Sequence, residues 1–321
     1  MHGYRELLGL AMHCRTTHPL PGNDGSSPSP PNQGYFIMTT SNVTQNTETA
    51  PHTVLIIGGS GKTGRRVAER LAARGSVARL ASRSGQVRFD WDDSGCWRAA
   101  LQGVDAIYLT YYPDLASPRA AAQIRELMGL AAASGVRRIV LLSGRGEPQC
   151  HAGENAVRES GMRFTILRCA WFAQNFSEGH LREQVLSGEL AFPAGDVAEP
   201  FVDLDDVADV AVEALTDPKH ANKIYELSGP RLLTFAQACS EITEASGHQV
   251  RYVPVSLSSY RQILATLMPA EVAEFLCQLF AYVLDGHNSF IDDDIELVLG
   301  RKARDFSVYA QGAARAGAWS H

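Results

Sequence analysis

Val54-Leu-Ile-Ile-Gly-Gly-Ser-Gly-Lys-Thr-Gly-Arg-Arg66 is the stretch whose reading decides the fold. An apolar run suited to a buried strand stops at Gly58, glycines recur at 58, 61 and 64, and an amphipathic stretch runs from Arg65 to Arg74. The order is strand, glycine turn, helix. Such a turn brings backbone N–H groups close to a phosphate, and the helix N-terminus adds partial positive charge. Gly58, Ser60, Gly61, Lys62, Thr63 and Gly64 are therefore candidate cofactor-binding positions. Gly61-Lys62-Thr63 also resembles the end of a nucleoside-triphosphate loop. That motif needs a glycine at position 56, where the chain has Ile56, so the spacing excludes it.

The surrounding pattern extends this reading. Strand patterns fall at 54–57, 77–81, 86–89, 104–110, 138–142 and 163–168, and helical patterns at 62–74, 94–102, 118–134 and 152–160. Gly75, Gly103, Gly135 and Gly161 stand where helix C-terminal caps belong. Repeated strand–helix units with short links predict an α/β fold, a Rossmann-like doubly wound parallel sheet. Right-handed crossovers place the glycine turn at its carboxyl edge. Beyond Arg168 the rhythm changes. A longer helix is expected from Trp171 to Ser187, a helix over 207–215 capped by Asp205 or Asp206, a strand over 223–228, a helix over 234–246, and a mostly helical remainder. The division is a disordered extension over 1–50, a nucleotide-binding core over 51–169, and a smaller C-terminal substrate lobe over 170–321, interleaved with the core.

Residues 21–49 are rich in Pro, Ser, Asn, Thr and Gly, too polar to offset the entropy of ordering. Met38 offers a second start, and residues 1–37 are expected not to carry the function. The chain has 321 residues, 45% hydrophobic and 20% charged, with net charge −6 and Lys only at 62, 219, 223 and 302. Nothing in that balance favours nucleic acid or an anionic membrane as partner, and no apolar run approaches the roughly 20 residues of a spanning helix. The six cysteines form no C-x-x-C, so buried free thiols, a cytoplasmic setting and no metal centre are expected. His13, Cys14 and His18 are the nearest thing to a ligand cluster, inside the unfolded-looking segment.

Chemistry-bearing residues sit at the expected strand ends. The second strand runs into Ser82-Arg83-Ser84, where an NAD-binding chain would carry an acid. A cation and hydroxyls suit a 2′-phosphate, so Arg83 and Ser84 point to NADP(H). Asp90 and Trp91 close the third strand and suit an adenine, or simply begin the next turn. Thr110 and Tyr111 follow the fourth strand beside the pyrophosphate path, and Tyr111 or Tyr112 faces substrate or packs. Ser143 ends the fifth strand, where it bonds a substrate oxygen or its own turn. His151 is the candidate general acid near neutral pH, or a surface residue at a helix start. No Tyr has a Lys four residues later, so the usual Tyr/Lys catalytic pair of short-chain dehydrogenases is missing.

From about 53 to 316 the chain resembles the NmrA-like atypical short-chain dehydrogenases, and within them the ergot alkaloid biosynthesis-type reductases, the festuclavine synthase and agroclavine dehydrogenase group. The resemblance rests on the glycine turn and on Gly103-Val-Asp-Ala-Ile-Tyr-Leu109, Ala133-Ser-Gly-Val-Arg-Arg-Ile-Val-Leu-Leu-Ser143, Ser160-Gly-Met-Arg-Phe-Thr-Ile-Leu-Arg168, Trp171-Phe-Ala-Gln-Asn-Phe-Ser177 and Pro200-Phe-Val-Asp-Leu-Asp-Asp-Val-Ala208. It implies NADP(H) binding, a lobe covering the nicotinamide, and Trp171, Asn175 and Phe176 near a small-molecule substrate. It further implies hydride transfer to an imine, enone or quinone type of acceptor. An iminium needs no proton donor, which fits the missing Tyr/Lys pair. A second function stays open: some NmrA-like proteins bind NADP(H) as redox sensors without turnover. Oligomeric state is left open.

Overall fold

The computed structural model describes residues 52–179 and 181–320. The expected extension over 1–50 and the His13, Cys14, His18 grouping lie outside the described residues. Strand β1 (Thr53–Ile57) shows how the core forms. Its side chains alternate between faces, as a strand dictates. Leu55 and Ile57 pack with Leu127 and Ile124, whereas Val54 and Ile56 pack with Val67 and Leu71. Both faces are apolar because both are covered by helices, the signature of a parallel sheet.

The strands β1, β2 (Val77–Ser82), β3 (Val87–Arg88), β4 (Ala106–Leu109), β5 (Arg138–Gly144), β6 (Arg163–Cys169) and β9 (Lys223–Leu227) form one sheet in the order β3-β2-β1-β4-β5-β6-β9. Every pairing in it is parallel. Helix α2 (Trp97–Leu101), α3 (Ala120–Ala133) and α4 (His151–Arg158) cover one face. Helix α1 (Lys62–Ala73), α6 (Leu204–Thr216) and α10 (Asp294–Leu299) cover the other. The strand order reverses between β1 and β4, so their carboxyl ends flank the crevice where such sheets bind ligands.

A second core lies outside the sheet. It is built by α7 (Phe235–Ser246), α8 (Leu257–Ala265), α9 (Ala270–Val283), α11 (Phe306–Arg315) and the short α5 (Arg182–Leu186). Aromatic rings dominate it: Phe192 lies 5.0 Å from Phe235 and 5.2 Å from Phe280, centroid to centroid. Two small sheets complete it, β7 (Glu189–Phe192) parallel to β11 (Arg251–Pro254) and β8 (Ala198–Glu199) antiparallel to β10 (Leu233–Thr234). Although β9 and α6 come late in the chain, they belong to the main sheet and its helical cover.

Three expectations are corrected. The continuous helix expected from Trp171 to Ser187 is instead a single 3₁₀ turn, Ala173–Phe176, followed by α5. Gly179 lies between them, where a Cβ would come within 2.8 Å of the Asn175 Cα, a close approach that only glycine permits. Helix α6 starts earlier than expected, with Asp203 rather than Asp205 or Asp206 as its N-cap, accepting from Asp205 N at 2.8 Å. The strands β7, β8, β10 and β11 were not foreseen; with two to four residues each they carry too little pattern to register.

Candidate active site

The groove at the crevice is made largely of backbone. Gly58 has φ +80°, a region that suits glycine. Gly58 N and Gly59 N both donate to Ala81 O at 3.1 Å, tying the turn to β2. A Cβ on Gly64 would overlap the Gly58 carbonyl and lie 2.9 Å from the Gly59 Cα. Thr110 Oγ1 donates to Ile57 O at 2.9 Å and closes the crevice from β4. Helix α1 has no side-chain cap and no acidic residue in its first turn, so its leading N–H groups face whatever occupies the groove. The groove encloses about 300 Å³, with Gly58, Ser60, Gly61, Lys62 and Thr63 on one side. Ser82, Arg83, Asp90, Trp91, Thr110, Tyr111 and Tyr112 are among its other lining residues. A glycine cradle with no room for Cβ atoms, beside an uncapped helix end, fits a dinucleotide pyrophosphate.

The groove opens into a larger cavity of about 570 Å³. Thr110, Tyr111, Pro113, Leu142 and Phe172 line both spaces. One side of the cavity is apolar, with Trp171, Tyr260, Leu264, Phe280 and Val283 drawn from the aromatic core and its helices. Ile263 and Leu267, 40% and 47% exposed, stand where this wall meets solvent. The other side carries Asp114, Ser143, Arg145, Glu147, Cys150, Glu199 and Asn288.

Electrostatics differ sharply along that polar side. Burial pushes the Glu147 carboxyl up to about 7, helped by the nearby charge of Asp114 and opposed by Cys150 and His287. Burial also raises Asp114, against a backbone bond from Ala116 N, and lifts the Cys150 thiol well above its usual range. Glu199 is pushed up to about 7, again mainly by burial. Glu154 goes the opposite way. Burial alone would raise it, but hydrogen bonds from Arg168 and Ser143 outweigh that and hold it below the ordinary carboxylate range. Arg168 grips it at 2.9 and 2.6 Å, Ser143 Oγ donates at 2.7 Å, and Arg168 continues to Glu226 at 3.1 Å.

Several residues singled out from sequence meet at the groove: the glycine turn, Arg83, Asp90, Trp91, Thr110 and Tyr111. Gly64 itself lies beneath the turn as a spacer. Arg83 is half over Tyr112, its Cζ 4.5 Å from the ring centroid. Tyr112, expected at the substrate, lines only the groove. Tyr111 donates its hydroxyl to Gln123 and packs its ring, tilted, against Trp91 at 4.6 Å between centroids, so it serves as a wall. Ser84 is exposed and outside the groove, its place taken by Ser82. Lys62 Nζ bonds Asn175 Oδ1 at 2.7 Å, linking the turn to a cavity-lining residue. Trp171 and Asn175 line the cavity, but Phe176 does not: it is fully buried among Phe201, Phe235 and Phe306. Ser143 lines the cavity with its hydroxyl committed to Glu154. His151, the first residue of α4 after the 3₁₀ turn Pro148–Cys150, is exposed and lines neither space.

Asp114, Arg145, Glu147, Glu199 and Asn288 went unnoticed in the sequence. The one local signal for Glu147 is its place just after β5, in the same loop that drew attention to His151.

A family model described as NAD(P)H-binding matches residues 58–218, and one described as NmrA-like matches residues 149–310. The chain is 33% identical over 233 residues to an NAD(P)H azoreductase of Xenophilus azovorans, covering 68% of this chain and 78% of that one. It is 30% identical over 283 residues to agroclavine dehydrogenase of Claviceps fusiformis, covering 80% and 96%. The triphenylmethane reductase of Citrobacter sp. shares the fold, with TM-score 0.65 and 22% identity over 82% of this chain and 99% of that one.

Proposed function

The chain belongs to the NmrA-like, NAD(P)H-binding family, and from that premise we propose that it is an NADPH-dependent reductase of small conjugated organic acceptors. The observation that carries this reading is the continuity of the two spaces: Thr110, Leu142 and Phe172 belong to both the groove and the 570 Å³ cavity. A cofactor held by the glycine turn supplies a hydride at that junction, and the cavity is roomy enough to hold a second molecule against it. Its apolar, aromatic side suits a flat, weakly polar acceptor, such as an imine, enone, quinone or azo compound. The relatives named as an azoreductase and an agroclavine dehydrogenase support a reductive role without choosing among these.

Within this reading the residues divide the work. The turn and the α1 N-terminus hold the pyrophosphate, and Arg83 with Ser82 receives the 2′-phosphate, favouring NADPH over NADH. Trp171 and Phe280 exclude water and orient the acceptor. Holding two reactants in register can itself lower the barrier by roughly 7–11 kcal/mol. NADPH oxidation measured against cyclic imines, enones, quinones and azo dyes tests the reading. Turnover with at least one class is expected. If none turns over, and reduced and oxidised cofactor bind with clearly different affinity, the chain is a redox sensor instead.

A further inference from the structure

We propose that Glu147, with Asp114 beside it, is the acid that protonates the acceptor as it is reduced, which equips this cavity for neutral conjugated acceptors. The inference rests on the reductase reading above. Asp114 follows the carboxyl end of β4 and Glu147 that of β5, the two strand ends nearest the groove on this side. The carboxyl oxygens of both and Cys150 Sγ lie within 4.8 Å of one another, and all three residues line the cavity. A Cβ at Gly144 would overlap the Glu147 carboxyl, so glycine there is what lets the carboxyl rest on the strand end.

A second, independent feature marks this side as built for a polar ligand. Glu199 and Asn288 line the same cavity, are only 2% and 5% exposed, and their Oε1 and Oδ1 atoms have no partner. Buried polar atoms are ordinarily satisfied, so these call for a ligand or water.

The groups around Glu147 suit a proton donor at neutral pH. Cys150, on its own loop, points Sγ at Glu147 Oε2 from 3.6 Å, and its raised thiol stays protonated. Asp114, from the β4 side, adds negative charge that favours the neutral acid. His287, from the segment after α9, reaches Gly146 O at 3.1 Å with one ring nitrogen and Asp285 with the other. Its opposing pull on Glu147 is the smallest of these influences. Two carboxyls this close disfavour ionising together, so the Asp114 charge keeps Glu147 protonated to higher pH.

A cofactor held by the glycine turn would supply a hydride to one end of the conjugated acceptor, whose displaced electron pair would move to the heteroatom at the other end. The Glu147 O–H bond breaks and its proton goes to that heteroatom. The acceptor would thereby gain the hydride, with its two electrons, and one proton; the cofactor would be the species oxidised, and water would return the proton to Glu147.

The test compares wild type, Glu147→Gln and Gly144→Ala, using a quinone and an enone as acceptors. In wild type, kcat should fall as pH rises through about 7. Glu147→Gln should keep its melting temperature and NADPH affinity, lose that pH dependence, and lose about 100-fold in kcat. Gly144→Ala, which displaces the carboxyl while leaving it in the chain, should lose part of kcat in the same direction. A readout without cofactor runs alongside: the infrared band of protonated carboxyl between pH 6 and 8 should lose one titrating group in Glu147→Gln. Wild-type kcat and pH profile in both variants, or an unchanged band, would overturn the proposal. Failure of the reductase reading would look different, with no NADPH oxidation by wild type and the carboxyl band still titrating.

Discussion

The cofactor groove comes mainly from one contiguous turn and the strand ends beside it, whereas the large cavity gathers side chains from segments scattered between Thr110 and Asn288. In the groove, close backbone approaches do the shaping: Gly64 against Gly58 and Gly59, and Gly58 and Gly59 against Ala81. In the cavity, rings and carboxyls do it, on a floor held by the Ser143–Glu154–Arg168–Glu226 chain of bonds. The contrast teaches where each half is vulnerable. An added methyl group damages the first, and a lost side-chain partner damages the second.

The largest expected effect lies in the bonds beneath Ser143. Glu154→Ala removes a 3%-exposed carboxylate from Arg168, which keeps only Glu226. Breaking a buried pair this way costs about 3 kcal/mol, measurable by denaturant unfolding. The pH dependence follows from the sign of its shift. A carboxyl held below its unfolded pKa of about 4.3 stabilises fully above that value and loses the contribution as pH falls through the lower folded one. Below about pH 4 the wild type should therefore lose stability faster than Glu154→Ala.

Next comes Gly64→Ala, which forces the turn apart at a cost of about 1–3 kcal/mol. NADPH affinity should drop at least tenfold in a fluorescence titration, with the acceptor cavity untouched. If affinity holds, the groove is not the backbone-shaped element described. Arg83→Ala should be smaller and selective: about tenfold weaker NADPH binding, as for a lost charge-assisted hydrogen bond, with NADH unaffected. Equal losses for both cofactors would detach Arg83 from the 2′-phosphate. His151→Ala should change kcat less than twofold at any pH, because the side chain is exposed and lines neither space; a clear loss would move the acid away from Glu147.

The same contrast explains what could be read in the sequence. The parallel sheet and the glycine turn were legible because β1 and β4 are apolar on both faces and the turn's requirements lie within seven residues of one another. Arg83, Asp90 and Trp91 were legible for the same reason, since strand ends fix which residues reach the crevice. The motif-based resemblance agrees with the NmrA-like match over 149–310. The cavity was much less legible. Glu147 and Asp114 are 33 positions apart and meet only because β4 and β5 are neighbours. Asn288 arrives from a loop and Glu199 from the two-residue β8, neither long enough to carry a periodicity. His151 drew attention as the titratable residue nearest neutrality, but desolvation by the fold, which no residue type encodes, moves Glu147 to that range. Phe176 sits beside cavity-lining Asn175 in sequence, yet one step along the 3₁₀ turn points it into the aromatic core.

The central claim is that groove and cavity form one site in which a bound acceptor receives a hydride from NADPH. The most direct measurement is the rate of NADPH oxidation with a saturating quinone or enone, using cofactor protiated or deuterated at the transferred C4 position. Acceptor-dependent turnover that slows with deuterium is expected. Absence of turnover with every acceptor class, in protein shown to bind NADPH, would contradict it.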